Sequence, residues 1–84
     1  MRDVKYVIVG GSAIVFSGAI AHKDMVGYNE KCEGAGFVSF YATKNEWEED
    51  VIKAKCFGES ISLGIPSRGE EDEVLINSQL LNSY

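Results

Sequence analysis

The run Gly58-Glu59-Ser60-Ile61-Ser62-Leu63-Gly64-Ile65-Pro66-Ser67-Arg68 gathers hydroxyls, one fixed cation and a helix start in a short stretch. Backbone N–H groups at a helix start bind phosphate or carboxylate. The Arg68 guanidinium adds a planar fork that matches phosphate oxygens. Ser60 and Ser62 fall on one face of an alternating run and supply further donors. The chemistry expected here is capture of a small anion. An ordinary helix cap explains the same residues, because Ser67 and Glu70 stand at capping-box spacing. The acidic run Glu70 to Glu73 also opposes an incoming anion.

Other residues carry chemistry less specifically. His22 is the single histidine; it can act as acid or base near neutrality, or hydrogen-bond a ligand. Its neighbour Asp24 is two residues away, which on a helix is a different face. No nucleophile elbow accompanies them. Gly34-Ala35-Gly36 allows close approach of a ligand or of another backbone at Gly36, but lacks the third glycine of a dinucleotide fingerprint. Tyr6, Phe37, Phe40, Tyr41, Trp47 and Phe57 offer faces for stacking a base, or fill the core. Trp47 sits among Glu46, Glu48 and Glu49, where it covers a ligand, meets a partner or folds back on the core. The candidate ligand-binding set is Ser60, Ser62, Ser67, Arg68, His22, Gly36 and Trp47, with no catalytic or metal-binding residue assigned and no cofactor expected.

Positioning these groups falls to one domain of 84 residues, small enough that its core is marginal without efficient packing or a second subunit. The formal net charge of -5 and the presence of only two arginines argue against a nucleic-acid polymer as partner. Cys32 and Cys56 lack zinc-ligand spacing and read as reduced thiols. No apolar run reaches the roughly 20 residues of a membrane span, and no export signal is visible, so a cytoplasmic location is expected.

The elements follow from periodicity. Val4 to Val9 and Ala13 to Phe16 flank Gly10-Gly11-Ser12, a hairpin signal. A short helix capped by Ser17 is expected to run to about Val26, followed by a loop from Tyr28 to Glu33. Phe37 to Tyr41 and Val51 to Phe57 alternate as strands around a polar connection that holds Trp47. Ile61, Leu63 and Ile65 alternate as a further strand, joined to its predecessor by a hairpin turn at Gly58-Glu59. A helix capped by Ser67 is expected from Arg68 to Leu81. The fold class is α+β: a mainly antiparallel sheet of about five strands, carrying a short helix and a C-terminal helix.

Three segments together resemble small accessory proteins of tailed phages and prophages: Ala13-Ile14-Val15-Phe16 with Ile20 to Met25, Gly34 to Val38, and Gly58 to Leu63. The resemblance covers most of the chain. It implies action by binding: blocking a host factor, or sequestering a nucleotide signal of host defence, often as a symmetric oligomer. The leading expectation is a non-enzymatic homo-oligomer that sequesters a small phosphorylated or nucleotide-like ligand. The alternative is an acidic inhibitor or adaptor that presents Trp47 to a host protein.

Overall fold

The computed structural model describes residues 4–81. The protein is α+β. Four antiparallel strands form one sheet in the order β2-β1-β3-β4, with β1 Val4–Val9, β2 Ser12–Ser17, β3 Cys32–Lys44 and β4 Asp50–Phe57. Two further strands, β5 Glu59–Ser60 and β6 Ile65–Pro66, pair only with each other. Helix α1, Glu70–Ile76, continues as a π-helical turn, Asn77–Leu81.

The first hairpin forms because Gly10 and Gly11 both adopt positive φ, 57° and 79°. That geometry suits a two-residue primed turn and sets Val9 opposite Ser12. Alternation then sorts the side chains into two layers. Tyr6, Ile8, Val38, Ala54 and Cys56 face Ile76 of the helix. Val7, Val9, Phe16 and Ala35 face the opposite way, beneath Met25, Val26, Leu63 and Ile65.

The helix also closes sheet edges through its side chains. The Ala54 N–H donates to Asn77 Oδ1 (3.0 Å), and the Cys56 N–H donates to Glu73 Oε2 (2.9 Å). On the far edge, Gln79 accepts from the Ala13 N–H and donates to the Gly11 carbonyl, both at 2.7 Å.

Several expectations are corrected. The helix expected after Ser17 is a single 3-10 turn, His22–Met25, with no side-chain cap. Ser17 belongs to β2, and its own groups end the strand: Oγ accepts from the Ala19 N–H and the carbonyl from the Ile20 N–H. Ala21 is then extended, which defers the turn to His22. Strand β3 starts at Cys32, inside the expected loop, and continues to Lys44.

Residues 61–64 form a turn, not a strand. Ser60 draws the backbone round by accepting from the Leu63 N–H at Oγ (3.1 Å) and from the Gly64 N–H at its carbonyl (2.8 Å). Gly58-Glu59 is not a hairpin turn either: Glu59 pairs with Pro66, and the Gly58 carbonyl accepts from the Ser67 N–H. The capping box is absent. The residue before the helix is Gly69, no side chain caps it, and Ser67 Oγ accepts from the Gly69 N–H.

Candidate functional site

Sheet register builds one site. Lys5 lies opposite Phe16 on one side and opposite Phe37 on the other, and Phe37 lies opposite Phe57. Phe16, Lys5, Phe37 and Phe57 are therefore one rung across all four strands. Side chains of a rung share one face of the sheet. His22, 4 % exposed, stands between the two phenylalanines of β2 and β3, with its ring edge-to-face to both. The centroids lie 5.5 Å from Phe16 and 5.9 Å from Phe37. Phe37 in turn stacks on Phe57 at 6.0 Å.

His22 Nε2 is 2.8 Å from the Gly36 carbonyl oxygen. A carbonyl only accepts, so Nε2 carries the proton; in the neutral ring, Nδ1 is then the acceptor. The imidazole is thus fixed in position and tautomer by aromatic edges and one backbone bond.

Beside it opens a pocket of about 560 Å³ lined by Lys5, Ala21, His22, Phe37, Gly58, Glu59, Ile61 and Ser62. Its walls are mainly apolar. Ile61, 90 % exposed, stands at the rim on the turn that replaces the expected strand. The Lys5 ammonium donates to the Ile20 carbonyl (2.9 Å), which leaves two of its three N–H groups to other acceptors. Ser62 Oγ lies 3.3 Å from Ser60 Oγ and accepts from the Lys23 N–H at 3.4 Å, which ties the turn to the segment bearing His22.

The other hydroxyl and cation face a different layer. Asp72, on the inward face of α1, is fully buried. Its Oδ1 accepts from Arg68 Nε (2.8 Å), and its Oδ2 accepts from the Arg68 backbone N–H (2.9 Å) and from the Tyr6 hydroxyl. Glu71 lies 3.4 Å from the same guanidinium. Since Tyr6 has one proton and gives it to Asp72, the Ser67 hydroxyl donates back to the Tyr6 oxygen at 2.7 Å. The place expected to hold an anionic ligand is filled by the protein's own carboxylate. Gly34 belongs to this arrangement, because a methyl group there would fall inside the Asp72 carboxylate.

The structure thus brings His22, Gly36, Ser60 and Ser62 together, and sets Ser67 and Arg68 apart, Ser67 on the Tyr6 hydroxyl and Arg68 in an ion pair with the buried Asp72. Trp47 is remote from both. It is 72 % exposed in the β3–β4 loop, where the Asn45 side chain accepts from the Trp47 and Glu49 N–H groups. Lys5 is the site residue that sequence reasoning passed over. The signal was present: a glycine-pair hairpin fixes the sum of paired positions and so sets Lys5 against Phe16.

Among the described residues, no group of three or more His, Cys, Asp or Glu side chains is placed to hold a metal ion. No described helix is long and apolar enough to cross a membrane. Comparison with protein-family models, with curated proteins and with solved structures gave no match.

Proposed function

We propose that this chain binds a small molecule with a flat, apolar body and an anionic group, the class to which nucleotides belong, and that it does so without chemical turnover. The observation that carries this reading is the pocket floored by Phe37 and the fixed His22 ring. A cavity of this size with mainly apolar walls and a few convergent polar groups suits a small ligand. Phe37 supplies the face on which a base stacks. Lys5 is the cation among the described lining residues and the natural partner of a phosphate. Glu59 and Ser62 accept hydrogen bonds and suit the amino group of a base. The setting implied by the resemblance to phage accessory proteins, sequestration of a host nucleotide signal, belongs to this proposal and rests on those sequence segments.

Native mass spectrometry of the protein purified from cells, under gentle and then denaturing conditions, tests the reading. A retained adduct that is released on denaturation, and that is lost in a folded Ala21→Trp variant with its pocket filled, is expected. An adduct that the variant keeps overturns the assignment of the pocket.

A further inference from the structure

The sheet edges are closed unevenly. Ala54 and Cys56 turn their N–H groups away from β3, to Asn77 and Glu73 of the helical segment. Strand alternation places the N–H and carbonyl groups of Asp50 and Ile52 on that same outer edge. Among the described residues, no hydrogen bond reaches the main-chain groups at either position; the Asp50 carboxylate pairs with Lys44 Nζ at 2.6 Å. On the opposite edge, Gln79 holds Gly11 and Ala13, and the Ser17 carbonyl is taken by Ile20, which leaves the half-buried Val15 between them.

The open part of β4 lies on a two-stranded arm. Among the described residues, β1 pairs with β3 as far as Val38, and β3 beyond it is paired with β4 alone. An isolated two-stranded ribbon is marginal in water, and an exposed edge invites another strand. Apolar side chains crowd this edge: Ile52 is 49 % exposed and Val74 is 64 % exposed. Both line a groove of about 540 Å³ between β4 and the helix, with Asn45, Val51, Lys53 and Asn77.

We infer that the Asp50–Ile52 edge pairs antiparallel with the same edge of a second copy of this chain, forming a two-fold dimer through β4. Self-pairing is favoured over a foreign strand by the register that the open groups allow. Along the described β4, Asp50 and Ile52 are the outward positions with both N–H and carbonyl open, so the symmetric register sets Asp50 against Ile52 of the second copy, with Val51 on the axis. That register sets Glu49 opposite Lys53 of the second copy, and Lys53 opposite its Glu49. Opposite charges therefore meet on both sides of the axis, where cross-strand ion pairs are favourable. Val51 meets Val51 between them. Registers centred further along β4 would have to displace Asn77 or Glu73 from the edge. The interface leaves the pocket at Lys5 and His22 untouched, and the inference does not depend on what that pocket binds.

Charge reversal tests the dimer in the full chain. Glu49→Lys and Lys53→Glu each place like charges across the axis twice. By sedimentation equilibrium, each variant alone is expected to dissociate roughly tenfold more readily than wild type. Mixed in equal amounts, the two restore both attractive pairs and are expected to form a heterodimer as tight as the wild-type dimer. Restoration on mixing cannot arise from misfolded chains. A wild-type chain that stays monomeric at near-millimolar concentration overturns the inference. So do variants that self-associate as tightly as wild type, or a mixture that fails to recover association.

Discussion

His22 Nε2 lies 2.8 Å from the Gly36 carbonyl oxygen, across a site that sequence separation alone would not join. The bond fixes the one imidazole of the chain against β3, and Phe16 and Phe37 hold its ring edges. Lys5 shares their rung of the sheet. A rigid aromatic floor with one ammonium beside it follows from strand register, and the turn at residues 61–64 supplies the opposite wall.

Lys5 should distinguish the parts of a ligand. Lys5→Gln removes the charge at the pocket and keeps a donor for the Ile20 carbonyl. Affinity for a nucleoside monophosphate should fall by roughly tenfold or more, as loss of a charged hydrogen bond implies. Affinity for the matching nucleoside should change little. Calorimetric titration of both ligands with both proteins checks this; equal losses for the two would remove Lys5 from the phosphate role.

The buried carboxylate should dominate stability. Asp72→Ala leaves the buried Tyr6 hydroxyl with Ser67 alone and the partly exposed Arg68 guanidinium with Glu71 alone. Losing the charged hydrogen bonds around a fully buried carboxylate costs on the order of 2 kcal/mol, a large share of the margin of a domain this small. Urea unfolding should show the loss directly. Arg68→Ala tests the same group from its more exposed end and should also destabilise the fold, whereas an unchanged midpoint would contradict the structural role given to the pair.

These two predictions mark how far the sequence could be read. The α+β class, the β1–β2 hairpin and the alternation of β3 and β4 were legible because glycine pairs and period-two patterns have local causes. The strand expected at Ile61 to Ile65 was not, because its alternation coincides with a turn set by Ser60: Leu63 and Ile65 reach the core while Ile61 stays exposed. The helix expected after Ser17 failed for a similar reason. A serine that suits a cap also closes a turn with its own oxygens, and the sequence does not say which. At Ser67 and Arg68 the chemistry was legible and its partner was not. The acidic run Glu70 to Glu73 reads in sequence as charge that opposes an anion, yet Asp72 turns inward under Gly34 and takes the donors expected for a ligand.

Alkaline pH should weaken the fold. Burial, together with the nearby Glu73 and Asp72 charges, pushes the Cys56 thiol up to about 12 from 9.0, against a smaller opposing effect of the Tyr6 hydrogen bond. Burial, and then the hydrogen bond to Asp72, pushes the Tyr6 hydroxyl up from 10.0. Both groups keep their protons in the folded state at pH values where the unfolded chain loses them. The unfolded chain then binds fewer protons, and stability falls as pH rises. The contribution is flat below about pH 9 and declines from there towards pH 12. Unfolding midpoints measured from pH 7 to pH 11 should follow that course. Cys56→Ala should reduce the slope, and a midpoint independent of pH would contradict the burial of both groups.

Trp47 is a built-in reporter, being the single tryptophan. At 72 % exposure its emission should resemble that of tryptophan in water, and acrylamide should quench it freely. Iodide should quench it less well, because Glu46, Glu48 and Glu49 repel the anion. Trp47→Ala should shift stability by less than about 0.5 kcal/mol, as for a surface residue outside the core. A blue-shifted, protected emission from the dilute monomer would mean that the indole folds back on the chain.

The most direct test of the binding account is a two-dimensional amide spectrum of isotope-labelled protein titrated with adenosine monophosphate. Shifts confined to Lys5, Ala21, His22, Phe37 and residues 58–62 would locate the ligand in the pocket. A silent spectrum at millimolar nucleotide, or shifts centred on Ser67 to Glu73, would contradict it.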